Sequence, residues 1–114
     1  MKVKTLKKNL DNGRSYYLIE KNNEDASRDF GTCTILLVEN EICVGFISST
    51  MFNDNTASLS TALVTWDMLP AELKKYYKLF QNHAGYAIYV DQNFRGLGKA
   101  KELIYLMLSY LRDI

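Results

Sequence analysis

The residues best suited to chemistry lie at positions 90–100, where a Gly-rich turn joins an apolar strand to an amphipathic helix. Gly96 and Gly98 let the backbone turn tightly and leave its N–H groups uncovered. The first N–H groups of the following helix have no internal partner, and they lie at the positive end of the helix dipole. This segment therefore predicts an anion site suited to a phosphate or pyrophosphate.

Two common phosphate-binding motifs match this segment poorly. A Walker-type loop needs a glycine five residues before the Gly-Lys pair and a Ser or Thr after it, but Asn93 and Ala100 occupy those positions. A dinucleotide-binding fingerprint needs a third glycine, and Lys101 stands in its place. Binding of another phosphate ligand, such as ATP with magnesium, stays open as the least favoured alternative.

The same segment resembles the coenzyme A signature of the GNAT superfamily of N-acetyltransferases, which reads Arg or Gln, two residues, Gly, one residue, then Gly or Ala. Arg95, Gly98 and Ala100 fill the three defined positions, and the wider Val-Asp-x-x-Phe-Arg-Gly-x-Gly context is also similar. The resemblance covers roughly residues 32–114, apart from an unusual insert at 52–81. It implies an acyl-CoA N-acyltransferase-like α/β fold, with a mixed, mainly antiparallel sheet flanked by helices.

The resemblance implies acetyl-CoA as co-substrate and gives individual residues a role. The backbone N–H groups that would hold the pyrophosphate belong to Arg95, Gly96, Leu97, Gly98, Lys99 and Ala100. The strand edge at Ile88 and Val90 would bind the pantetheine arm as an added strand does. The N–H near Val90 would stabilise the developing oxyanion on the thioester carbonyl, while an acceptor amine attacks the acetyl group.

No residue is singled out firmly as the base that this attack requires. His83 opens the predicted strand at 83–90 and is the candidate, although a lone histidine at a strand edge is more often a surface or hydrogen-bonded residue. Asp91 fits a turn cap better than a base. Tyr86 and Tyr89 fit core or pocket walls. The catalytic residues therefore stay undetermined apart from His83.

Hydrophobic patterning predicts the elements that must position these residues. Residues 32–38 and 42–50 are typical of a β-hairpin with a three-residue connection. Gly45 in the second strand indicates a bulge or the close approach of another group. The near-continuous apolar run at 83–90 predicts a central strand covered on both faces, and residues 99–112 predict a helix.

The remaining elements are less regular in sequence. Residues 3–6 predict a short strand, and residues 10–30 are assigned one or two short helices. A helix is expected to start near Pro70, because proline suits the first helical position. Its apolar face consists of Leu69, Leu73, Tyr76, Tyr77 and Phe80.

Composition excludes several functional classes. The length of 114 residues suits a single domain, 1–114. A net charge of +1 gives no electrostatic case for nucleic acid or an anionic membrane as a partner. Neither a membrane span nor a signal peptide is apparent, so a cytoplasmic protein is expected. One histidine with Cys33 and Cys43 does not make a zinc site, so no metal is expected.

The two cysteines are interpreted as buried thiols, or as a disulfide in an oxidising setting.

The resemblance also implies a further strand, helix and hairpin after residue 114. Without them, one edge of the strand at 83–90 is expected to stay unpaired. Three explanations stay open: a truncated chain, a homodimer in which a second copy covers the edge, or a domain that binds without catalysing. The leading function is transfer of an acetyl group to an amine of a small molecule or peptide. The alternative is a non-catalytic acyl-CoA-binding or protein-interaction module.

Overall fold

The computed structural model describes residues 2–22, 29–52 and 54–114, with only the backbone described at positions 29 and 30. The described strands are β1 (Lys2–Asn9), β2 (Arg14–Asn22), β3 (Asp29–Glu39), β4 (Ile42–Phe52), β5 (Ala57–Leu59) and β6 (Ile88–Val90). The α-helices are α1 (Tyr77–Asn82) and α2 (Lys99–Arg112), and short 3-10 helices span Trp66–Met68, Ala71–Tyr76 and Gln92–Phe94.

The strands form one sheet in which β1 to β4 follow one another in chain order. β5 and β6 lie along the far edge of β4, where β5 pairs with residues 49–51 and β6 with residues 45–47. Each pairing among the described strands is antiparallel. The predicted α/β fold, with a mainly antiparallel sheet flanked by helices, is confirmed.

The prediction of helices at 10–30 is wrong for the described part of that segment. Residues 14–22 form β2, and β3 already begins at residue 29, while residues 23–28 lie outside the described residues. Tyr17 and Ile19 belong to the core on one face of the sheet, and Leu18 belongs to the core on the other. A strand buried on both faces has no clear polar alternation, so its period could not be recognised in the sequence.

The predicted hairpin is present as β3 and β4, with longer strands and a shorter turn. Asn40 and Glu41 connect the strands and have φ values of 51° and 69°, the positive pair typical of a type I′ turn. Gly45 meets both predictions made for it. The register shifts opposite Leu37, and a Cβ at Gly45 would lie 2.2 Å from the carbonyl oxygen of Tyr89.

The strand predicted at 83–90 is shorter than expected and is not central. Only Ile88–Val90 forms β6, and it pairs with β4 along one side at the margin of the described sheet. His83 instead ends α1, where its N–H donates to the carbonyl oxygen of Phe80. Tyr86 extends the apolar run into the segment before β6. The run therefore indicates a longer strand than the one that forms.

Each face of the sheet carries its own hydrophobic core. The 3-10 helix Ala71–Tyr76 and α1 cover one face, where Leu73 and Phe80 pack with Phe46. α2 covers the other face through Leu103 and Met107. The helical part of the insert at 52–81 therefore covers a face of the sheet, while β5 of the same insert lies along the edge of β4.

The apolar face predicted after Pro70 is confirmed, although much of it lies on a 3-10 helix. Leu69, Leu73 and Phe80 are buried, and Tyr76 and Tyr77 pack against the same core. Pro70 itself occupies the position just before the first helical residue. The predicted bounds of α2 agree with the structure.

The two cysteines are buried free thiols on opposite faces of the sheet. Cys33 lies opposite Ser49, and Cys43 lies opposite Val38 near the other end of the hairpin. This arrangement excludes a disulfide between them within the chain. Burial raises the pKa of each thiol to about 12.

Candidate functional site

β6 has one backbone edge bonded to β4 and another directed away from it. The carbonyl oxygen of Ala87 and the N–H of Asp91 each form a 2.8 Å hydrogen bond with β4. Because bonded and non-bonded residues alternate in an antiparallel pair, the backbone groups of Ile88 and Val90 point to the opposite edge. No strand among residues 2–22, 29–52 and 54–114 pairs with that edge. Both residues predicted to bind the pantetheine arm therefore lie where an added strand could form.

The loop after β6 is held at its start by side chains. The Asp91 carboxylate accepts a hydrogen bond of 2.9 Å from the N–H of Asn93, so Asp91 caps the turn as its sequence position indicated. The Nε of Arg95 donates to the carbonyl oxygen of Val90 over 2.9 Å. Arg95 therefore ties the loop back to the end of β6, which fixes the path of the chain into α2.

The glycine bend, residues 96–98, is open to its surroundings. Gly96 and Gly98 have φ values of 79° and 76°, a left-handed conformation that favours glycine. A Cβ added at either glycine would have no neighbour within 4 Å. Gly98 is the N-cap of α2, and glycine has no side chain that could bond the first amides of the helix. The residues present thus fit a phosphate group, which needs exposed amides and room for close approach.

The first turn of α2 supplies the amides that can face this bend. Glu102 donates its N–H to the carbonyl oxygen of Gly98 at 3.0 Å, which is the first bond of the helix. The amides of Lys99, Ala100 and Lys101 precede it and so have no partner within the helix. Leu97 is exposed beside them. The predicted phosphate-binding residues are therefore brought together at one end of α2.

The Lys99 side chain takes no part in that open surface. Its Nζ lies 2.5 Å from the Glu39 carboxylate on β3. Arg14 on β2 contacts the same carboxylate at 3.1 Å and also bonds the carboxylate of Glu102 on α2. We call Arg14, Glu39, Lys99 and Glu102 the charged quartet. Lys99 can therefore serve the predicted role only through its backbone N–H.

The contacts in the charged quartet favour the ionised forms of Glu39 and Arg14. Partial burial opposes ionisation of Glu39, but hydrogen bonds from Lys99 and Arg14 outweigh it and lower the pKa of that carboxyl. The hydrogen bond with Glu102 raises the pKa of Arg14. Sequence reasoning missed Arg14 and Glu39 as neighbours of the bend because they come from distant strands, and no local pattern links them to α2.

A shallow hollow begins at Gly98 and continues along α2. It is lined by Lys101, Glu102, Tyr105, Leu106 and Ser109. The end of the hollow near Gly98 adjoins the amides of the first turn of α2. Further along the helix, the ring of Tyr105 lines the hollow. The hollow therefore extends the open surface of the bend along α2.

His83 lies on the face of the sheet opposite α2. Its ring stacks on Tyr89 with 3.8 Å between ring centroids, and Tyr86 meets it edge-on at 5.5 Å. Its Nδ1 lies 2.8 Å from the carbonyl oxygen of Leu79. Since a carbonyl oxygen only accepts, Nδ1 carries the hydrogen and Nε2 of the neutral ring has a free lone pair. We call His83, Tyr86 and Tyr89 the aromatic trio.

The aromatic trio was only partly foreseen. The sequence suggested that Tyr86 and Tyr89 form walls, and Tyr89 indeed packs beside Phe46 at 5.7 Å. The stacking of His83 was missed because the residue was placed on the strand rather than at the end of α1. The three-residue spacing of His83, Tyr86 and Tyr89 was the available signal.

Comparison with known protein families assigns the chain to a class. A family model described as the acetyltransferase (GNAT) family matches residues 5–114. The chain therefore belongs to the GNAT family, whose members are generally acetyltransferases. The match begins within β1, well before the region where the coenzyme A signature suggested the resemblance. No curated protein and no solved structure gives a significant match.

The described residues contain neither a cluster of metal ligands nor a helix that could cross a membrane. No three histidine, cysteine, aspartate or glutamate side chains in residues 2–22, 29–52 and 54–114 are grouped so that they could hold a metal ion. Neither α1 nor α2, nor any other helix of that part of the chain, has the length and apolar character needed to cross a membrane.

Proposed function

We propose that this chain is an N-acetyltransferase that uses acetyl-CoA as co-substrate and an amine of a small molecule or peptide as acceptor. Membership of the GNAT family supports acyl transfer in general. The observation that carries the specific proposal is the open glycine bend at the start of α2, beside the unpaired edge of β6. Neither a metal, a nucleic acid nor a membrane has a part in this proposal.

The bend and the edge of β6 divide the binding of acetyl-CoA between them. Amides of residues 95–100 hold the pyrophosphate, helped by the dipole of α2. The backbone of Ile88 and Val90 bonds the pantetheine arm in the manner of an added strand. The arm therefore runs from the bend along the unpaired edge of β6 and places the thioester beside that edge.

The chemistry needs an oxyanion donor and a proton acceptor. The N–H of Val90, directed away from β4, donates to the thioester carbonyl oxygen and stabilises the charge that develops there. The Nε2 of His83 accepts a proton from the acceptor amine, whose nitrogen attacks the carbonyl carbon. The bond to sulfur breaks, and coenzyme A leaves as the thiol after taking up a proton.

A non-catalytic acyl-CoA-binding or protein-interaction module is the second candidate. The unpaired edge of β6 favours it, because an open strand edge can pair with another chain. Exposed apolar side chains of Leu97, Ile104 and Leu108 on and next to α2 also suit a partner, which includes a second copy of this chain. Under either candidate we propose a cytoplasmic location, in keeping with two free thiols.

Measuring the melting temperature during a titration with acetyl-CoA tests the proposed binding. Binding to the native state should raise the melting temperature. The Gly98→Glu variant should lose about 100-fold or more in affinity, since a carboxylate and bulk occupy the phosphate position. Gly85→Glu controls for the added charge and bulk, because an added Cβ there also has open space, and Gly98→Ala controls for the strain of a side chain at the positive φ of Gly98.

The outcome also decides between catalysis and binding. Release of free thiol with a panel of amines supports the transferase. A melting shift without thiol release supports the binding module. Stabilisation by ATP with magnesium in preference to acetyl-CoA, or equal binding by the Gly98→Glu variant, would overturn the assignment of the bend to coenzyme A.

A further inference from the structure

Glu102 places a negative charge beside the bend that is proposed to bind phosphate. The residue lines the same hollow as Gly98, and its backbone N–H bonds the carbonyl oxygen of Gly98 at 3.0 Å. Glutamate in the first turn stabilises a helix through the dipole. The same charge repels a diphosphate, however, so a phosphate site here needs a compensating cation.

Arg14 is the cation that compensates this charge. It comes from the start of β2, far from α2 in sequence, and bonds both Glu102 and Glu39. Lys99 completes the charged quartet, with its Nζ 2.5 Å from Glu39 and 4.0 Å from Glu102. The four side chains are 15–29% exposed, so water and salt screen them less than an open surface pair.

We propose that Arg14 is a positioning residue of the phosphate site, which neutralises Glu102 and holds the first turn of α2 against the sheet. This inference rests on the proposed binding of acetyl-CoA at the bend. Arg14 itself need not touch the ligand. It acts through Glu102, whose charge it cancels, and through Glu39, which fixes Lys99.

Charge-swapping variants distinguish this role from a merely structural one. Arg14→Gln leaves two carboxylates against one lysine, so acetyl-CoA affinity should fall roughly 3–10-fold. Glu102→Gln leaves an excess positive charge, and affinity should rise about 2–5-fold. The double variant Arg14→Gln with Glu102→Gln restores neutrality and should bind within about twofold of the parent chain. A simple loss of packing would not be rescued by the second substitution.

The matched control is Arg112→Gln, at the other end of α2. Arg112 is an exposed arginine that pairs only locally, with Asp113 at 3.3 Å. Its removal also deletes one positive charge, but far from the bend, and should leave acetyl-CoA affinity unchanged. Raising the salt concentration should shrink the effect of Arg14→Gln, because the interaction is between charges.

Calorimetric titration of the parent chain and the four variants with acetyl-CoA decides the question. Weaker binding by Arg14→Gln, tighter binding by Glu102→Gln and recovery in the double variant support the inference. Unchanged binding by a folded Arg14→Gln chain, or no recovery in the double variant, would overturn it while leaving the proposed function intact. If Arg14→Gln does not fold, Glu102→Gln decides alone, and unchanged or weaker binding overturns the inference. A parent chain that does not bind acetyl-CoA refutes the proposed function and this inference together.

Discussion

The two faces of β6 differ in the kind of group that each offers. Towards α2, Ile88 and Val90 pack against the apolar core, and the chain continues into the open glycine bend. On the opposite face, Tyr89 stacks with His83, which has a ring nitrogen able to accept a proton. One short strand therefore separates the proposed coenzyme A site from the proposed base. Substitutions on the two faces should accordingly affect different kinetic constants.

The largest expected effect comes from His83→Gln on the aromatic face. Glutamine is a polar side chain of similar size, but its amide cannot act as a base. We expect kcat for amine acetylation to fall about 10²–10⁴-fold, with acetyl-CoA affinity unchanged.

Tyr86→Phe is the control for this face, because it keeps the ring that meets His83 edge-on. Its kcat should stay within about threefold of the parent value, since the phenol has no role in proton transfer. Equal rates for His83→Gln and the parent chain would remove His83 from the mechanism and leave the bend unaffected.

The next largest effect should come from Gly45→Ala, which acts on both faces together. The added Cβ would lie 2.2 Å from the carbonyl oxygen of Tyr89, so β6 must move away from β4. We expect unfolding by urea to show a loss of about 1–3 kcal/mol, with acetyl-CoA binding and kcat both reduced. Gly85→Ala adds the same methyl group in open space and should change stability little. Normal stability with normal binding in Gly45→Ala would show that the position of β6 is not critical.

The smallest expected effect is on the pH dependence of stability, when Glu39 of the charged quartet on the α2 side is replaced. The lowered pKa of Glu39 means that its ionised form stabilises the fold at neutral pH. That stabilisation is present above the unfolded-state pKa and is lost as pH falls through the lower folded-state pKa. Glu39→Gln should therefore be about 1 kcal/mol less stable at neutral pH, and the difference should shrink in acid.

Urea unfolding of the two chains across the acid range measures this difference. The expected result is a steeper fall in the stability of the parent chain than of Glu39→Gln. Parallel stability curves would show that the carboxyl group of Glu39 does not have a lowered pKa in the folded chain. The aromatic trio lies on the other face and should not respond to this substitution.

Local features of this fold could be predicted from sequence, and non-local ones could not. α2 and the bend follow from hydrophobic spacing and from Gly96 and Gly98, all within a few residues of one another. β2 escaped recognition because its side chains are buried on both faces, which removes the alternation that marks a strand. The marginal position of β6 depends on its pairing with β4, a property of the whole sheet.

In the candidate site, too, the local features could be predicted from sequence and the non-local ones could not. The bend was recognised from Arg95, Gly98 and Ala100, which are close in sequence. Arg14 and Glu102 are in contact although they are 88 positions apart in sequence. No pattern along the chain predicts such a contact. His83 could be named as a candidate base, but its partners became visible only when α1 was seen to end at that residue.

Binding of coenzyme A at the bend can be followed through the amide chemical shifts of the ¹⁵N-labelled chain during a titration. We expect the largest changes at the amides of Val90, Gly96, Leu97, Gly98, Lys99 and Ala100, with small changes in β1. Saturation with no change at the bend, or with the largest changes on the face covered by α1, would contradict binding at the bend.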